Sequence, residues 1–232
     1  MNTKHKKPTL TKKQRHKLRV QQVRRQKIFL TCLFLLIVGC ILLRFSKFSG
    51  RQKETHQINA ACEAYRDEVS SEAAQYDMSD YVDLILAVMM QESSGQGTDP
   101  MQSSEGAYNT RYPQQPNGIT DPSYSISCGI QELKYALDKA GCTGPTDLSK
   151  IRLALQAYNF GADSYFAYLE ENGQTVWTAQ SAQAFAQMAS GGTQRDEDDP
   201  LHDPAGPWDY GDQYYPDHVL RYYHTSSGSE TS

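Results

Sequence analysis

Two carboxylates that lie close together in the sequence, Glu92 and Asp99, are the side chains best placed for acid–base chemistry. An apolar run over residues 81–90 precedes them, and Leu84 and Val88 recur at the spacing of one buried helix face. Glu92 continues that face, so we expect its carboxylate where the core ends and a cleft begins. Burial and the negative end of the helix dipole both raise a carboxyl pKa, which suits a general acid near neutral pH.

Polar and aromatic groups suited to binding a ligand occur in three later segments. Gln131 follows a glycine at the predicted opening of a third helix, where its amide can both donate and accept hydrogen bonds. Tyr158 and Asn159 lie near the end of another predicted helix, and Tyr222 adds an aromatic ring suited to stacking on a sugar. Taken singly, each segment also fits a purely structural role, and Glu92 alone also fits a solvated helix end.

A single, mainly α-helical domain is predicted for residues 59–225, because no strand alternation of any length and no internal repeat occurs there. Apolar spacing indicates helices over residues 60–76 and 129–140, among others. Residues 93–128 are rich in Ser, Pro, Gly and Asn, and long ordered loops of this kind are commonly binding loops. A second loop is predicted over the acidic residues 190–209.

Charge is divided sharply along the chain. Fifteen of the 23 Lys and Arg residues, and no acid, lie in residues 1–53, whereas the rest of the chain has eight basic residues against all 27 acids. Residues 28–43 are uncharged and mostly apolar, slightly short of the ~20 residues of a usual membrane span. Outside the domain we therefore predict a basic cytoplasmic segment, a transmembrane anchor, a linker and a flexible tail, over 1–27, 28–45, 46–58 and 226–232.

Basic residues before the span predict that the N-terminus is cytoplasmic and that the domain lies on the outer side of a cell membrane. A cleaved signal peptide is the alternative, but no small-x-small site closely follows the apolar run. The basic arm could also bind nucleic acid, yet an adjacent span makes anionic lipids the simpler partner. We expect contact with membrane lipids through residues 28–45 and no nucleic-acid partner.

Three cysteines, Cys62, Cys128 and Cys142, fall in the predicted outer domain. Cys128 and Cys142 flank a predicted helix about 18 Å long, so a disulfide from Cys62 to one of them is predicted instead. The six histidines lack metal-ligand spacing with Cys or with each other, and no phosphate-binding glycine loop occurs. No metal and no other cofactor is predicted.

Taken in order, five short segments resemble the soluble lytic transglycosylase and goose-type lysozyme superfamily. The closer resemblance is to the lysozyme-like domain of CwlT-type bifunctional cell-wall hydrolases, found on Gram-positive conjugative elements. It covers about residues 60–224. The segments that carry it are Met90–Gly95, Asp99–Glu105, Ile126–Gln131, Ala157–Gly161, and Tyr210–Asp212 with Val219–Tyr223.

This resemblance implies a glycoside hydrolase in which Glu92 is the catalytic acid and Asp99 the second carboxylate. The implied substrate is peptidoglycan, cleaved between N-acetylmuramic acid and N-acetylglucosamine for local wall opening during conjugative transfer. A type IV secretion apparatus is the implied partner. Substrate contacts are predicted at Ser93, Gln102, Ser104, Gln131, Tyr158, Asn159 and Tyr222.

Two alternatives stay open. If Asp99 points away from the cleft, the 6-hydroxyl of the substrate could attack instead, as in a lytic transglycosylase that leaves 1,6-anhydro-muramic acid. The domain could also be a noncatalytic peptidoglycan-binding part of a conjugation apparatus, although the presence of Glu92 argues against it. Bifunctional relatives continue into a Cys/His peptidase domain, whereas this sequence stops at Ser232, so peptidase activity is not expected.

Overall fold

The computed structural model describes residues 56–199 and 202–224. Within these residues the regular secondary structure is helical, and no β-strand is present. The mainly α-helical prediction is confirmed for this part of the chain. One 3-10 turn, Ser79–Tyr81, precedes the third helix. In chain order the helices are α1 Ala60–Glu63, α2 Arg66–Ala74, α3 Val82–Glu92, α4 Pro122–Ala140, α5 Leu148–Phe160, α6 Ala162–Glu171, α7 Ala179–Ala189 and α8 Tyr215–Leu220.

The predicted basic segment, anchor and tail (1–27, 28–45 and 226–232) lie outside the described residues, and the predicted linker is described only from residue 56. Of the helices that are described, none is long and apolar enough to cross a membrane.

Helix α3 is buried on every side rather than along one stripe. The six consecutive residues from Leu84 to Met89 are fully buried, because α1, α2 and α8 all pack against this helix. Burying a large aliphatic side chain contributes about 1.5–3 kcal/mol, so α3 is firmly held. Glu92, its last residue, is therefore presented from a rigid element.

Helix α4 begins earlier than the prediction of a start at Gly129. Asp121 caps it by accepting hydrogen bonds from the backbone N–H groups of Ser123 and Tyr124, and Pro122 occupies the first turn. Gly129 consequently lies in mid-helix, where a Cβ atom would stand 2.6 Å from Cβ of Met101. That glycine lets the loop after α3 pack directly on α4. The predicted helix over 60–76 is likewise two shorter helices, α1 and α2.

The predicted disulfide is wrong, because all three described cysteines are free thiols in separate surroundings. The sulfur of Cys62 lies 3.9 Å from the sulfur of Met90 on α3. Cys128 donates to a backbone carbonyl oxygen at 3.4 Å, and Cys142 does the same just beyond the end of α4. Burial raises the pKa of the Cys62 thiol to about 11, so it stays protonated and unreactive near neutral pH.

Candidate active site

Glu92 lines a cleft of about 730 Å³ and is half-buried in its wall. Its pKa is raised to about 7, chiefly because burial penalises the charged carboxylate. A hydrogen bond from Tyr215 opposes the rise, and the negative charges of Asp212, Asp99 and Glu132 add to it. The raised pKa of Glu92 at the end of the buried helix α3 therefore agrees with the expectation from the sequence.

Tyr215 positions this carboxyl group. Its side chain is 2% exposed, and its phenol donates a hydrogen bond to Oε1 of Glu92. The ring of Tyr158 stacks on Tyr215 with centroids 6.2 Å apart, and the Tyr158 hydroxyl donates to the carbonyl oxygen of Met101 at 3.0 Å. Burial holds both tyrosine pKa values well above their usual range, so both hydroxyls remain donors.

Asp99 lies in the interior, not in the cleft. It is 1% exposed, and its two carboxylate oxygens accept four hydrogen bonds from three serines. The donors are the backbone N–H groups of Ser103 (3.0 Å) and Ser104 (3.1 Å) and the hydroxyls of Ser104 and Ser125, the last at 2.6 Å. Through these hydrogen bonds Asp99 links the loop that follows α3 to Ser125 on α4. Neither carboxylate oxygen is accessible to a substrate in the cleft.

Two of the predicted substrate-binding residues, Gln102 and Asn159, line the cleft together with Glu92. Ser93 instead joins the end of α3 to the loop, because its hydroxyl donates to the carbonyl oxygen of Pro100 at 2.8 Å. Ser104 is 2% exposed and accepts from the backbone N–H of Ile119 at 2.8 Å. Only part of the predicted set therefore lines the cleft, whereas Ser93 and Ser104 make hydrogen bonds within the protein instead.

Gln131 and Tyr222 lie elsewhere. Gln131 lines a separate pocket of about 540 Å³, and its amide donates to the carbonyl oxygen of Ser127 at 3.1 Å. Tyr222 packs beside His56, with ring centroids 5.6 Å apart, and beneath the guanidinium of Arg221. The structure does not bring these two side chains to the cleft that contains Glu92.

Helix α8 and the residues on either side of it supply the cleft residues that sequence reasoning missed, namely Asp212, Tyr215, His218 and Arg221. Nδ1 of His218 is hydrogen-bonded to the Asp212 carboxylate, and the Arg221 guanidinium donates to the Gln91 side chain at 3.0 Å. The segments around residues 210–212 and 219–223 carried the family resemblance. They gave no sign that α8 packs on α3, which is the contact that creates the site.

The loop before α8 forms another wall of the cleft. Arg195 is held there, with its guanidinium 3.5 Å from the Asp209 carboxylate and donating to the carbonyl oxygen of Gly211 at 2.8 Å. His202 and Asp203 also line this wall. Within the part of the chain that the structure describes, no group of three or more His, Cys, Asp or Glu side chains is arranged to hold a metal ion.

Comparison with known proteins agrees with the family resemblance found in the sequence. The family model described as lysozyme-like matches residues 60–223. The chain is 36% identical over 169 residues to the bifunctional muramidase/DL-endopeptidase CwlT of Bacillus subtilis, covering 73% of this chain and 44% of the relative. It is 37% identical over 110 residues to a pneumococcal vaccine antigen A homolog of Streptococcus pyogenes, covering 47% and 50%.

A solved structure is also similar, that of a lipoprotein-like protein of the NLP/P60 family from Staphylococcus aureus. It is 28% identical with a TM-score of 0.63, and the match covers 76% of this chain and 57% of that one. The chain spans half or less of the length of the two curated relatives named above.

Proposed function

Because this chain belongs to the lysozyme-like family, we propose that its described domain cleaves peptidoglycan strands between N-acetylmuramic acid and N-acetylglucosamine. The observation that carries this proposal is Glu92, a half-buried carboxyl in the wall of a 730 Å³ cleft with a pKa raised to about 7. The similarity to a relative named as a muramidase supports the substrate class.

Glu92 acts as the general acid in this proposal. Glycoside cleavage needs a proton for the leaving oxygen, and a carboxyl with a pKa near 7 keeps a protonated population at neutral pH. Tyr215 occupies Oε1, which leaves Oε2 to carry the proton towards the substrate. Gln102 and Asn159 line the same cleft and are the predicted residues that we retain as substrate contacts.

One observation favours a second candidate, a lytic transglycosylase. With Asp99 buried beneath the loop, that carboxylate is not available to assist water in the cleft. The 6-hydroxyl of the muramic acid residue would then attack the anomeric carbon itself. Glu92 keeps its role as the acid in this reaction, so the two candidates differ in their nucleophile and not in their proton donor.

Product analysis separates these candidates. Purified full-length chain is incubated with peptidoglycan, and the released fragments are identified by mass spectrometry. We expect reducing-end N-acetylmuramic acid. A 1,6-anhydro end would select the transglycosylase, and the absence of any released fragment would favour a noncatalytic peptidoglycan-binding domain.

We also propose that the domain works on the wall side of the membrane, held by the anchor predicted at residues 28–45. The concentration of basic residues before that segment supports this orientation. Local wall opening for conjugative transfer, next to a type IV secretion apparatus, is the setting that the family resemblance suggests. A reporter fused after Ser232 tests the orientation, because it should be active only if it functions outside the cell.

A further inference from the structure

Asp212 and His218 are hydrogen-bonded to each other in the cleft that contains Glu92, and the proposed function gives neither residue a role. Nδ1 of His218 lies 2.5 Å from Oδ2 of Asp212. A carboxylate can only accept a hydrogen bond, so Nδ1 is the donor in this pair. In the neutral imidazole the lone pair is then on Nε2, the nitrogen that is left for a ligand in the cleft.

The backbone of Asp212 is fixed on both sides by amide side chains. Its N–H donates to Oδ1 of Asn159 at 2.7 Å, and its carbonyl oxygen accepts from the amide of Gln156 at 2.8 Å. Gln156 is fully buried and is itself held by the indole N–H of Trp177 at 2.9 Å. With Oδ1 accepting from the backbone N–H of Tyr214, the Asp212 carboxylate can hold the imidazole in one orientation.

The residue before Asp212 allows this close approach. Gly211 has a φ of +49°, and a Cβ atom there would stand 2.6 Å from Oδ1 of Asn159 and 2.7 Å from the ring of Phe160. Any side chain would therefore collide with the amide oxygen that binds the Asp212 N–H. The geometry of the Asp212–His218 hydrogen bond therefore depends on the close packing of Gly211 against Asn159 and Phe160.

We propose that His218, oriented by Asp212, is the base that accepts a proton from the attacking water. This inference rests on the proposed hydrolysis. The water oxygen bonds to the anomeric carbon as the glycosidic C–O bond breaks, Glu92 gives its proton to the leaving oxygen, and Nε2 of His218 takes a proton from the water. Exchange with solvent returns both groups to their starting states. His218 is thus a catalytic residue and Asp212 a positioning residue.

The surrounding charges suit this role. The hydrogen bond to Asp212 raises the pKa of His218 above its ordinary value, while burial and Arg221 act in the opposite direction. The charged groups that act on His218 are Asp212, Arg221 and Asp203. The other charged or titratable groups that line the same cleft are Glu92, Glu105, Arg195, His202, Tyr214 and Tyr215. Cleavage needs neutral His218 and protonated Glu92 at once, so the pH–rate profile should be bell-shaped.

The test is the pH–rate profile of the full-length chain on soluble peptidoglycan fragments, with and without His218→Gln. Loss of the base should lower turnover at the optimum at least ~100-fold. The acidic limb of the profile should disappear, whereas the alkaline limb set by Glu92 should stay. A merely structural role would lower the rate at every pH and keep both limbs. Asp217→Asn, which removes an exposed ion pair on the same helix, is the matched control and should leave the profile unchanged.

Two further measurements keep the proposal testable if His218→Gln folds poorly. Asp212→Asn should move the acidic limb to lower pH, because the charge that raises the pKa of His218 is lost. Added imidazole should restore part of the turnover of His218→Ala. Retention of the acidic limb in His218→Gln, or 1,6-anhydro ends in the wild-type products, would overturn the assignment of His218. Full activity of Glu92→Gln would instead overturn the proposed function itself.

Discussion

The phenol of Tyr215 donates a hydrogen bond to Oε1 of Glu92, although the two residues are 123 positions apart in the sequence. This bond joins the first turn of α8 to the last residue of α3. Tyr158 stacks on Tyr215 and donates in turn to the carbonyl oxygen of Met101. The direction of the Glu92 carboxyl therefore depends on the docking of α8 and on the loop after α3.

Removing this hydrogen bond should change the pKa of Glu92. The bond stabilises the carboxylate and so lowers its pKa, and Tyr215→Phe should therefore raise it. We expect the alkaline limb of the pH–rate profile to move to higher pH. Tyr223→Phe is the control, because its hydroxyl donates to the carbonyl oxygen of Pro145 away from the cleft. An alkaline limb at the same pH in Tyr215→Phe and wild type would mean that the bond does not act on the acid.

Glu92 should also make the stability of the domain depend on pH. Its folded pKa of about 7 lies above the ordinary value of 4.5, so its stabilising contribution is complete below pH 4.5 and is lost as pH rises through 7. Glu92→Gln does not titrate, so its unfolding free energy relative to wild type should increase by about 2 kcal/mol between pH 4.5 and 8. Urea denaturation at both pH values measures this.

The control for that experiment is Glu171→Gln. Glu171 also ends a helix, α6, but it is exposed. The difference in unfolding free energy between Glu171→Gln and wild type should be nearly the same at pH 4.5 and pH 8. If the difference in unfolding free energy between Glu92→Gln and wild type is also independent of pH, the Glu92 carboxyl is not desolvated in the folded protein.

Asp99→Asn should act on folding more than on chemistry. Asn has one acceptor oxygen, and its amide hydrogens would face the donors of Ser103, Ser104 and Ser125. We expect a loss of about 2–4 kcal/mol in unfolding free energy, with turnover per folded molecule reduced far less than in Glu92→Gln. Thermal melting and activity at low temperature measure the two quantities.

Asp121→Asn is the comparison for that variant, because Asn caps a helix about as well as Asp. Its melting temperature and its turnover should both stay close to wild type. Unchanged stability of Asp99→Asn together with a large loss of turnover would return Asp99 to the role of the second carboxylate.

Gly211→Ala should disturb the cleft through the added Cβ atom. The new Cβ would meet Oδ1 of Asn159 and the Phe160 ring, and so displace Asp212. Gly141→Ala is a matched control, because Gly141 also has a positive φ (+69°) but open space around it. We expect both variants to lose about 1 kcal/mol from backbone strain, and only Gly211→Ala to lose further stability and turnover. Equal effects in melting and activity assays would contradict the close approach at Gly211.

The local sequence pattern was sufficient to predict the helix that ends at Glu92. The apolar spacing through Leu84 and Val88 predicts a helix that ends at Glu92, although contacts with α1, α2 and α8 bury this helix on every side and not along one stripe. The start of α4 was missed for a local reason as well. Asp121 and Pro122 form a helix cap, but the surrounding Ser, Gly and Asn residues are typical of a loop.

The positions of Asp99, Asp212 and His218 could not be predicted from the local sequence pattern. Whether Asp99 faces a cleft or the interior depends on Ser125, a donor 26 residues away on α4. The positions of Asp212 and His218 depend on the packing of α8 against α3 and α5, which joins distant parts of the chain. A six-residue helix with little apolar periodicity gives no sequence signal for such contacts.

The turnover of Glu92→Gln on purified peptidoglycan tests the central claim most directly, with Glu171→Gln measured beside it. Gln keeps the size of the side chain and removes the transferable proton. We predict that turnover of Glu92→Gln falls at least ~100-fold while its melting curve shows a folded domain, and that Glu171→Gln matches wild type. A folded Glu92→Gln protein that releases fragments at the wild-type rate would contradict the assignment of Glu92 as the acid.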